Sequence, residues 1–385
     1  MKISIYLEAF EPEFWGGREK RWSKLIPEIA KEHEVVIFAD FTRVQPTVAF
    51  PNIQCSFVDI GPLPLMYSAK GVRSLRHAFN YTWQSRKLLS YEADVILTDQ
   101  TPLISIPILR FISFLLKCEL SVTWHEIWSI ETWKKYSKIN GFLGVILQTV
   151  AILTSKNIVV PSAQVLRNLE NKIFSKRGVV IPNGIELHTK AMFKTEMLTT
   201  PSSVSLLYVG RLIKHKNCEF LLQIMALSVS EGRDWSLTIV GAGPLAEKLE
   251  FEIKKLELEH RVKIESNISN FDLDTHYKNC DVFLFPSERE GFGISVSEAL
   301  SRNVPVIVYD VPENAAKDLI SADVLSCKID SLNAKIWVQA TVDILNGKST
   351  EKSESVFSEL HTWESVGVQY SNYLKTLICN SSLGD

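Results

Sequence analysis

Residues 281–298 read DVFLFPSEREGFGISVSE. An apolar run from Asp281 to Phe285 stops at Pro286, a turn holding two glycines follows, and a helical pattern begins. A short continuous apolar run bounded by proline marks a strand buried on both faces. A strand that passes through a glycine turn into a helix is the building unit of a parallel α/β sheet. The glycines let backbone N–H groups approach a ligand closely. The helix N-terminus behind them carries a partial positive charge that suits a phosphate. Glu290 in the turn and Glu298, expected about two turns into the helix, are carboxylates that can accept hydrogen bonds from hydroxyls. A phosphorylated polyol such as a nucleotide sugar fits this combination. A βα loop with ordinary exposed glutamates fits it as well.

Working outward, the same unit repeats along the chain. KISIYL (2–7), EVVIFAD (34–40), DVILTD (94–99), LSVTWH (120–125), NIVVPS (157–162) and GVVIPN (178–183) form a first set of strands. The first of them leads through a glycine loop into a helix expected at about Glu19–Lys31. A polar linker at about Glu186–Ser203 precedes a second set: SLLYVG (205–210), SLTIVG (236–241), RVKIES (261–266), DVFLFP (281–286) and VPVIVY (304–309). Two such sets predict two Rossmann-like α/β domains with parallel sheets facing across a cleft. The expected boundaries are 1–188 and 189–355, with a helix at about 356–378 returning to the first domain. Ligands of such sheets bind beyond the carboxyl ends of the strands, so the loops after the strands line the expected site.

Composition agrees with a large soluble enzyme. The chain has 385 residues, 46% of them apolar, enough to fill two cores. No run of 18 uncharged apolar residues is present, and Met1 leads directly into a strand, so a cytoplasmic location is expected. Six scattered cysteines without CxxC spacing read as reduced side chains, neither a disulfide framework nor a zinc site. The net charge of −2 conceals an asymmetry. Residues 1–190 hold 23 Lys+Arg against 17 Asp+Glu, a net of +6, and the remainder holds 19 against 27, a net of −8. A basic first half suits an anionic partner, such as a phosphate-bearing acceptor or a membrane surface.

The loops carry the chemistry. Arg211 and Lys216 stand just beyond SLLYVG, where two cations can clamp a diphosphate and stabilise a phosphate leaving group. Gly241 and Gly243 lie in GAGPLA, which matches the GxGxxA dinucleotide fingerprint, with Glu265 at the end of the next strand. Pro244 is also a good first helical residue after a tight turn, so packing explains the glycines as well. In the first half, Gly16 and Gly17 sit between strand and helix beside Arg18, Lys20 and Arg21, and His125 follows a strand. Asp272-Leu273-Asp274 has the Asp-x-Asp form of a metal site but no strand leading directly into it, and no metal is expected.

The succession of GG loop, His after a strand, IPNGIE (181–186), VGRLIKHKN (209–217), VGAGPL (240–245) and SEREGFGISVSEAL (287–300) resembles the family 4 retaining glycosyltransferases of the GT-B fold, the glycosyl transferases group 1. The resemblance covers essentially the whole chain. It implies a nucleoside diphosphate sugar, UDP- or GDP-linked, as donor. It places Glu298 on the nucleotide ribose, Glu290 beside the donor sugar ring, and Arg211 and Lys216 on the diphosphate. It gives the backbone N–H groups of Gly291, Phe292, Gly293 and Ile294 to the donor, His125 to the sugar, Gly17 to the diphosphate, and the Gly241 and Gly243 loop to the base or ribose. The family usually has glycine where Asn217 and Asn303 stand, and Asn tolerates the same left-handed turns. A usual Gly-Gly is replaced by Pro312-Glu313-Asn314, which leaves donor identity open.

The first domain is also similar to mannosyltransferases of lipid-linked oligosaccharide assembly at TDQTPLISIPILR (98–110) and TWHEIW (123–128). Strongly apolar helices are expected at Ile104–Leu116 and Gly141–Leu153. Their apolar faces read first as core, and alternatively as a shallow contact with a membrane surface. Lys70, Arg73, Arg76, Arg86 and Lys87 lie in one helical region beside them and read as an anionic-lipid patch. The combined expectation is a metal-independent hexosyltransferase that acts on a glycan or lipid-linked acceptor. Its rivals are a nicotinamide-dependent oxidoreductase using Gly241, Gly243 and Glu265, and a nucleotide-sugar-binding protein without turnover.

Overall fold

The structure, a computed structural model, describes residues 1–11, 16–51, 53–67, 73–136, 140–173, 178–186, 203–320, 326–347 and 362–382. It divides into two compact units, Met1–Gly184 with Trp363–Asp385, and Ile185–Thr362. The elements run β1 (Lys2–Tyr6), α1 (Gly17–Ala30), β2 (Glu34–Ala39), α2 (Pro46–Ala49), β3 (Ser56–Asp59), α3 (Leu75–Gln84), β4 (Val95–Asp99), α4 (Ser105–Leu116), β5 (Glu119–Thr123), α5 (Ile130–Tyr136), α6 (Asn140–Thr154), β6 (Asn157–Val160), α7 (Ala163–Lys172) and β7 (Val179–Val180). They continue with β8 (Val204–Val209), α8 (Cys218–Ser230), β9 (Trp235–Val240), α9 (Ala246–Lys255), β10 (Val262–Glu265), α10 (Asn270–Asn279), β11 (Val282–Phe285), α11 (Ile294–Ser301), β12 (Val306–Tyr309), β13 (Cys327–Ile329), α12 (Ala334–Leu345) and α13 (Trp363–Ser382).

In the first unit all neighbours are parallel, in the order β3-β2-β1-β4-β5-β6-β7. Helices cover both faces. On one face α1 buries Trp22, Leu25, Ile26 and Ile29, the three-and-four spacing of a helical stripe. From the far end of the chain, α13 adds Val366, Tyr370 and Leu374 to the same core, and the Trp22 and Tyr370 rings meet edge-on at 6.3 Å. Each such side chain, fully buried, contributes about 1.5–3 kcal/mol. On the other face α3, α4, α6 and α7 pack over Tyr6, Ile96, Leu120 and Val122. The second unit is also parallel, in the order β10-β9-β8-β11-β12-β13, with one continuous core.

Several local expectations differ from what is observed. Strands β3 and β13 have no counterpart in the sequence reading, and the expected GVVIPN strand pairs only at Val179–Val180. All three stand at sheet edges and pair on one side only, so they lack the long apolar run that marks a central strand. Helix α1 begins at Gly17, two residues earlier than expected. The linker expected at 186–203 and the expected helix start near 356 lie almost wholly outside the described residues; the observed helix begins at Trp363.

Candidate active site

In the second unit the sheet reverses its winding between β8 and β11, the place where ligands of such sheets bind. The loops after these two strands carry the residues singled out from the sequence. Lys216 Nζ forms an ion pair with Glu290 Oε1, and both side chains are only 12% exposed. The same ammonium lies 5.7 Å from the centre of the Phe285 ring. Arg211 stands exposed at the start of its loop.

Two asparagines hold this arrangement. Asn217 has φ +52°, and its Nδ2 donates to Pro286 O at 2.9 Å, tying the β8 loop to the β11 loop. The amide of Glu288 donates to His215 O at 2.8 Å and repeats the tie. Asn314 is fully buried; its Nδ2 donates to Ser287 O at 2.9 Å and to Tyr309 O at 2.8 Å, while its Oδ1 accepts from Ala316 N at 3.1 Å. Glu290 and the 313–315 backbone then pair in parallel: Glu290 N donates to Glu313 O and Ala315 N to Glu290 O, each at 3.0 Å. The segment that departs from the family pattern is therefore a staple for the Glu290 turn. Asn303 also adopts a left-handed turn, with φ +60°.

Gly293 caps α11 with φ +95°, and a Cβ there would stand 2.4 Å from the Ala316 Cβ. Only glycine fits both conditions. The first bond of the helix runs from Ser297 N to Gly293 O, so the amides of Ile294, Ser295 and Val296 lie before it at the open end. Gly291 and Phe292 are buried in the turn. Glu298 is the fifth residue of α11, one turn in rather than two. Tyr277 OH donates to Glu298 Oε2 at 2.9 Å, and Arg302 lies 4.9 Å over the Tyr277 ring and donates to Glu298 O. Burial and the neighbouring carboxylate push the Tyr277 phenol well above its usual pKa, so it stays a donor.

Gly241 and Gly243 have a packing reason. Side chains there would meet Gly210 O at 1.9 Å and Leu212 O at 2.4 Å, because this turn lies against the start of the Arg211 loop. Glu265 ends the edge strand β10, ion-paired with Lys263 at 2.7 Å and within hydrogen-bond distance of His276 Nε2 at 2.9 Å. The fingerprint thus serves the geometry of the β8 loop. Asp272 and Asp274 lie in the first turns of α10; Asp272 accepts from Ser269, and Asp274 pairs with Arg302 and Lys278. Among the described residues no group of three or more His, Cys, Asp or Glu is arranged to hold a metal.

His215 shows the electrostatic character of the β8 loop. Burial, then Arg289, Lys216 and Arg211, lower its pKa to about 2. The neutral imidazole sits among cations. The unfolded chain takes up this proton near pH ~6.5, whereas the folded unit refuses it until about 2. Between those values the unfolded state binds more protons, so stability falls as pH drops, by up to about 1.4 kcal/mol per pH unit from this residue. His215→Gln is expected to flatten the urea-unfolding midpoint of the second unit between pH ~6.5 and ~4.5. An unchanged slope would show that His215 is not the group responsible.

The first unit gathers a polar cluster at the carboxyl ends of β1, β4 and β5. Glu8 is fully buried; it ion-pairs with Arg73, accepts from Arg18 at 3.2 Å and from Thr101 Oγ1 at 3.1 Å, and lies 3.3 Å from His77 Nε2. Burial pushes this carboxyl up, but Arg73, His77 and Arg18 outweigh it and hold it below the usual carboxylate range. Arg18 also reaches Glu19 at 2.7 Å and Asp99 at 3.8 Å, and Asp99 Oδ1 bonds His125 Nε2 at 2.7 Å. Gly17 opens α1 beside Arg18 and is exposed. Glu8 and Asp99 were missed from the sequence, although both are acids at the end of an apolar strand. Arg73 is corrected: it is the partner of a buried carboxylate, not a free cation of a lipid patch. Lys87 donates to Asp59 O at 2.6 Å, and Lys70 lies outside the described residues.

Comparison with known proteins covers both units. Residues 15–189 match the model of Glycosyltransferase Family 4, and residues 199–348 match that of Glycosyl transferases group 1. The capsular polysaccharide biosynthesis glycosyltransferase CapM of Staphylococcus aureus is 28% identical over 178 residues, 44% of this chain and 46% of CapM. A GDP-mannose-dependent alpha-(1-6)-phosphatidylinositol dimannoside mannosyltransferase of Mycobacterium tuberculosis is 23% identical over 225 residues, 56% of each chain. The chain thus spans about half the length of these curated relatives. Among solved structures, Anabaena HepE in complex with UDP and glucose superposes with a TM-score of 0.68 at 17% identity, over 98% of this chain and 100% of that one. With two parallel-sheet α/β units of GT-B architecture and both family models matched in order, the chain belongs to the family 4, group 1 glycosyltransferases.

Proposed function

We propose that the chain is a retaining hexosyltransferase that moves a sugar from a UDP- or GDP-sugar to a glycan or lipid-linked acceptor. The observation that carries this reading is the largely enclosed Lys216–Glu290 pair at the sheet's switch point, beside Arg211 and the open end of α11. Arg211 and Lys216 bind the diphosphate. The amides of Gly291 to Ile294 add donors, Gly241 and Gly243 lie by the base or ribose, and Glu298, held by Tyr277, accepts from the ribose. Glu290 stands by the sugar ring. Lys216 then exchanges its carboxylate partner for the phosphate. The sugar C1–O bond breaks with its electrons passing to the diphosphate, whose charge the two cations stabilise. The acceptor hydroxyl bonds to C1 on the same face and passes its proton to the departing phosphate oxygen. Protein cations take the place of a metal, and no nicotinamide takes part. His125 and Gly17 keep the roles that the resemblance gives them, on the sugar and the diphosphate. A lipid-linked acceptor places the enzyme at the cytoplasmic face of a membrane. The relatives support donor and acceptor alike, since one is named as GDP-mannose-dependent and acting on a phosphatidylinositol dimannoside, and HepE was solved with UDP and glucose.

A thermal-shift screen over UDP- and GDP-sugars, followed by an assay for nucleoside diphosphate release in EDTA, tests the reading. Stabilisation by one donor and release that depends on acceptor are expected. Binding without release would leave a non-catalytic binding protein, and stabilisation by NAD alone would favour the oxidoreductase. Within this reading Glu298→Gln is expected to weaken nucleotide binding about tenfold with little change in kcat, because the ribose is held equally in ground and transition states. Glu290→Gln is expected to lower kcat with KM nearly constant. Unchanged nucleotide affinity in Glu298→Ala would refute the ribose role.

A further inference from the structure

Three helices of the first unit are apolar on the side they turn to water as well as on the side they turn to the sheet. In α4, Ile106, Leu109 and Ile112 enter the core while Phe111 and Phe114 stand in solvent, Phe114 at 70% exposure. In α6, Phe142 is 72% exposed and Leu143 is exposed beside it. In α3, Phe79 and Trp83 share one helical row and are equally bare. Helix α4 packs against both α3 and α6, so the three exposed rows stand on adjoining helices. A helix at the surface of a soluble domain normally keeps its outer face polar, and one that is apolar all round lies in a core or in lipid. At ~200 Å² per aromatic side chain, these five rings alone leave on the order of 600 Å² in water, at the upper limit for a monomer's largest apolar patch.

The charge carried by these helices has one sign. Helices α3, α4 and α6, with the 3-10 turn at Ser85–Ser90, contain no Asp or Glu and carry Arg76, Arg86, Lys87 and Arg110. Arg86 lies 4.8 Å over the Trp83 ring, an apolar body with a cationic tip of the kind that settles at a membrane interface. Among the described residues no helix is long and apolar enough to cross a bilayer. A second copy of the chain suits the face poorly. A twofold interface would set the same cations against each other with no carboxylate on these elements to meet them.

We propose that this face docks on an anionic lipid leaflet, with the outer rows of α3, α4 and α6 entering the boundary between headgroups and acyl chains and Arg76 and Arg86 on the headgroups. The contact deepens the reading of a lipid-linked acceptor by naming the surface that reaches lipid. It relies on insertion rather than on charge alone, because Arg73 and Lys87 are committed within the fold.

Flotation of the full chain with vesicles of equimolar phosphatidylcholine and phosphatidylglycerol tests it. The unaltered chain is expected to bind at low salt and to keep a measurable fraction bound at ~1 M salt, where the Debye length is about 3 Å. Phe114→Gln with Phe142→Gln is expected to cut the high-salt partition about tenfold or more, since apolar burial is not screened. Arg76→Gln with Arg86→Gln is expected to weaken low-salt binding and spare the high-salt remainder. Donor turnover in vesicle-free solution is expected to stay unchanged in both variants, which separates failure of this inference from failure of the transferase reading. No binding of the unaltered chain at either salt would overturn the proposal. A dimer in sedimentation that Phe114→Gln with Phe142→Gln dissolves would overturn it in favour of a second copy.

Discussion

Lys216→Ala is expected to lower turnover of the correct donor about 10²–10³-fold, the scale of removing one charged contact to developing negative charge in a preorganised site. The side chain is 12% exposed, and its partner is an equally enclosed carboxylate, so its charge acts in a medium where water screens weakly. The position is fixed from two directions. Asn217 and the Glu288 amide bind the β8 loop to the β11 loop, and Asn314 binds the β11 loop to the chain after β12. Substitution therefore removes a cation from a site that does not collapse to replace it. Arg211→Ala, at an exposed position, is expected to fall in the same direction by a smaller factor. Both kcat and kcat/KM should fall, because the leaving group gains charge only as its bond to the sugar breaks. Removing the partner of the enclosed Glu290 also lowers the melting temperature, so rates compared well below the midpoint of the variant distinguish lost chemistry from lost folding. Near-normal rates in both variants would remove these residues from the reaction.

The largest expected loss of stability is at Glu8. Its carboxylate is fully enclosed by Arg18, Arg73 and His77. Of the two guanidinium groups around this anion, Arg18 also reaches Glu19 and Asp99, whereas Arg73 has its ion pair here. Removing one partner of such a group leaves uncompensated charge and costs about 3–5 kcal/mol. Glu8→Ala is expected to destabilise the first unit by that amount in denaturant unfolding. Arg73→Gln is expected to destabilise it less, because Arg18 remains. The pH dependence follows from the same contacts. The folded carboxyl is held below its usual range, so the folded state releases this proton more readily than the unfolded chain. The stabilisation is fully present above the ordinary carboxylate pKa of about 4.3 and is lost as pH falls below it. A loss under 1 kcal/mol in Glu8→Ala would mean that the cluster is solvated in solution.

Much of this molecule is written locally. Apolar β-branched runs, the glycine turns behind them and the helices that follow are features of adjacent residues, so the two parallel sheets and the Arg211–Lys216 and Glu290–Glu298 loops could be read before any contact was known. Asn217 and Asn303 fell in left-handed turns because a single residue's backbone preference is also local. The tertiary structure decided the rest. Lys216 and Glu290 are 74 positions apart, and Glu8 and Arg73 are 65 apart; no periodicity announces which cation meets which carboxylate. Arg73 therefore read as one more surface charge, and Asn314 as a departure from pattern instead of a staple. The short edge strands β3 and β13 form because a neighbouring strand offers them partners. The outer faces of α4 and α6 are the clearest case. Hydrophobic pattern specifies that a face avoids water, but only packing specifies whether the protein itself covers it, and here one apolar face of each helix is left over.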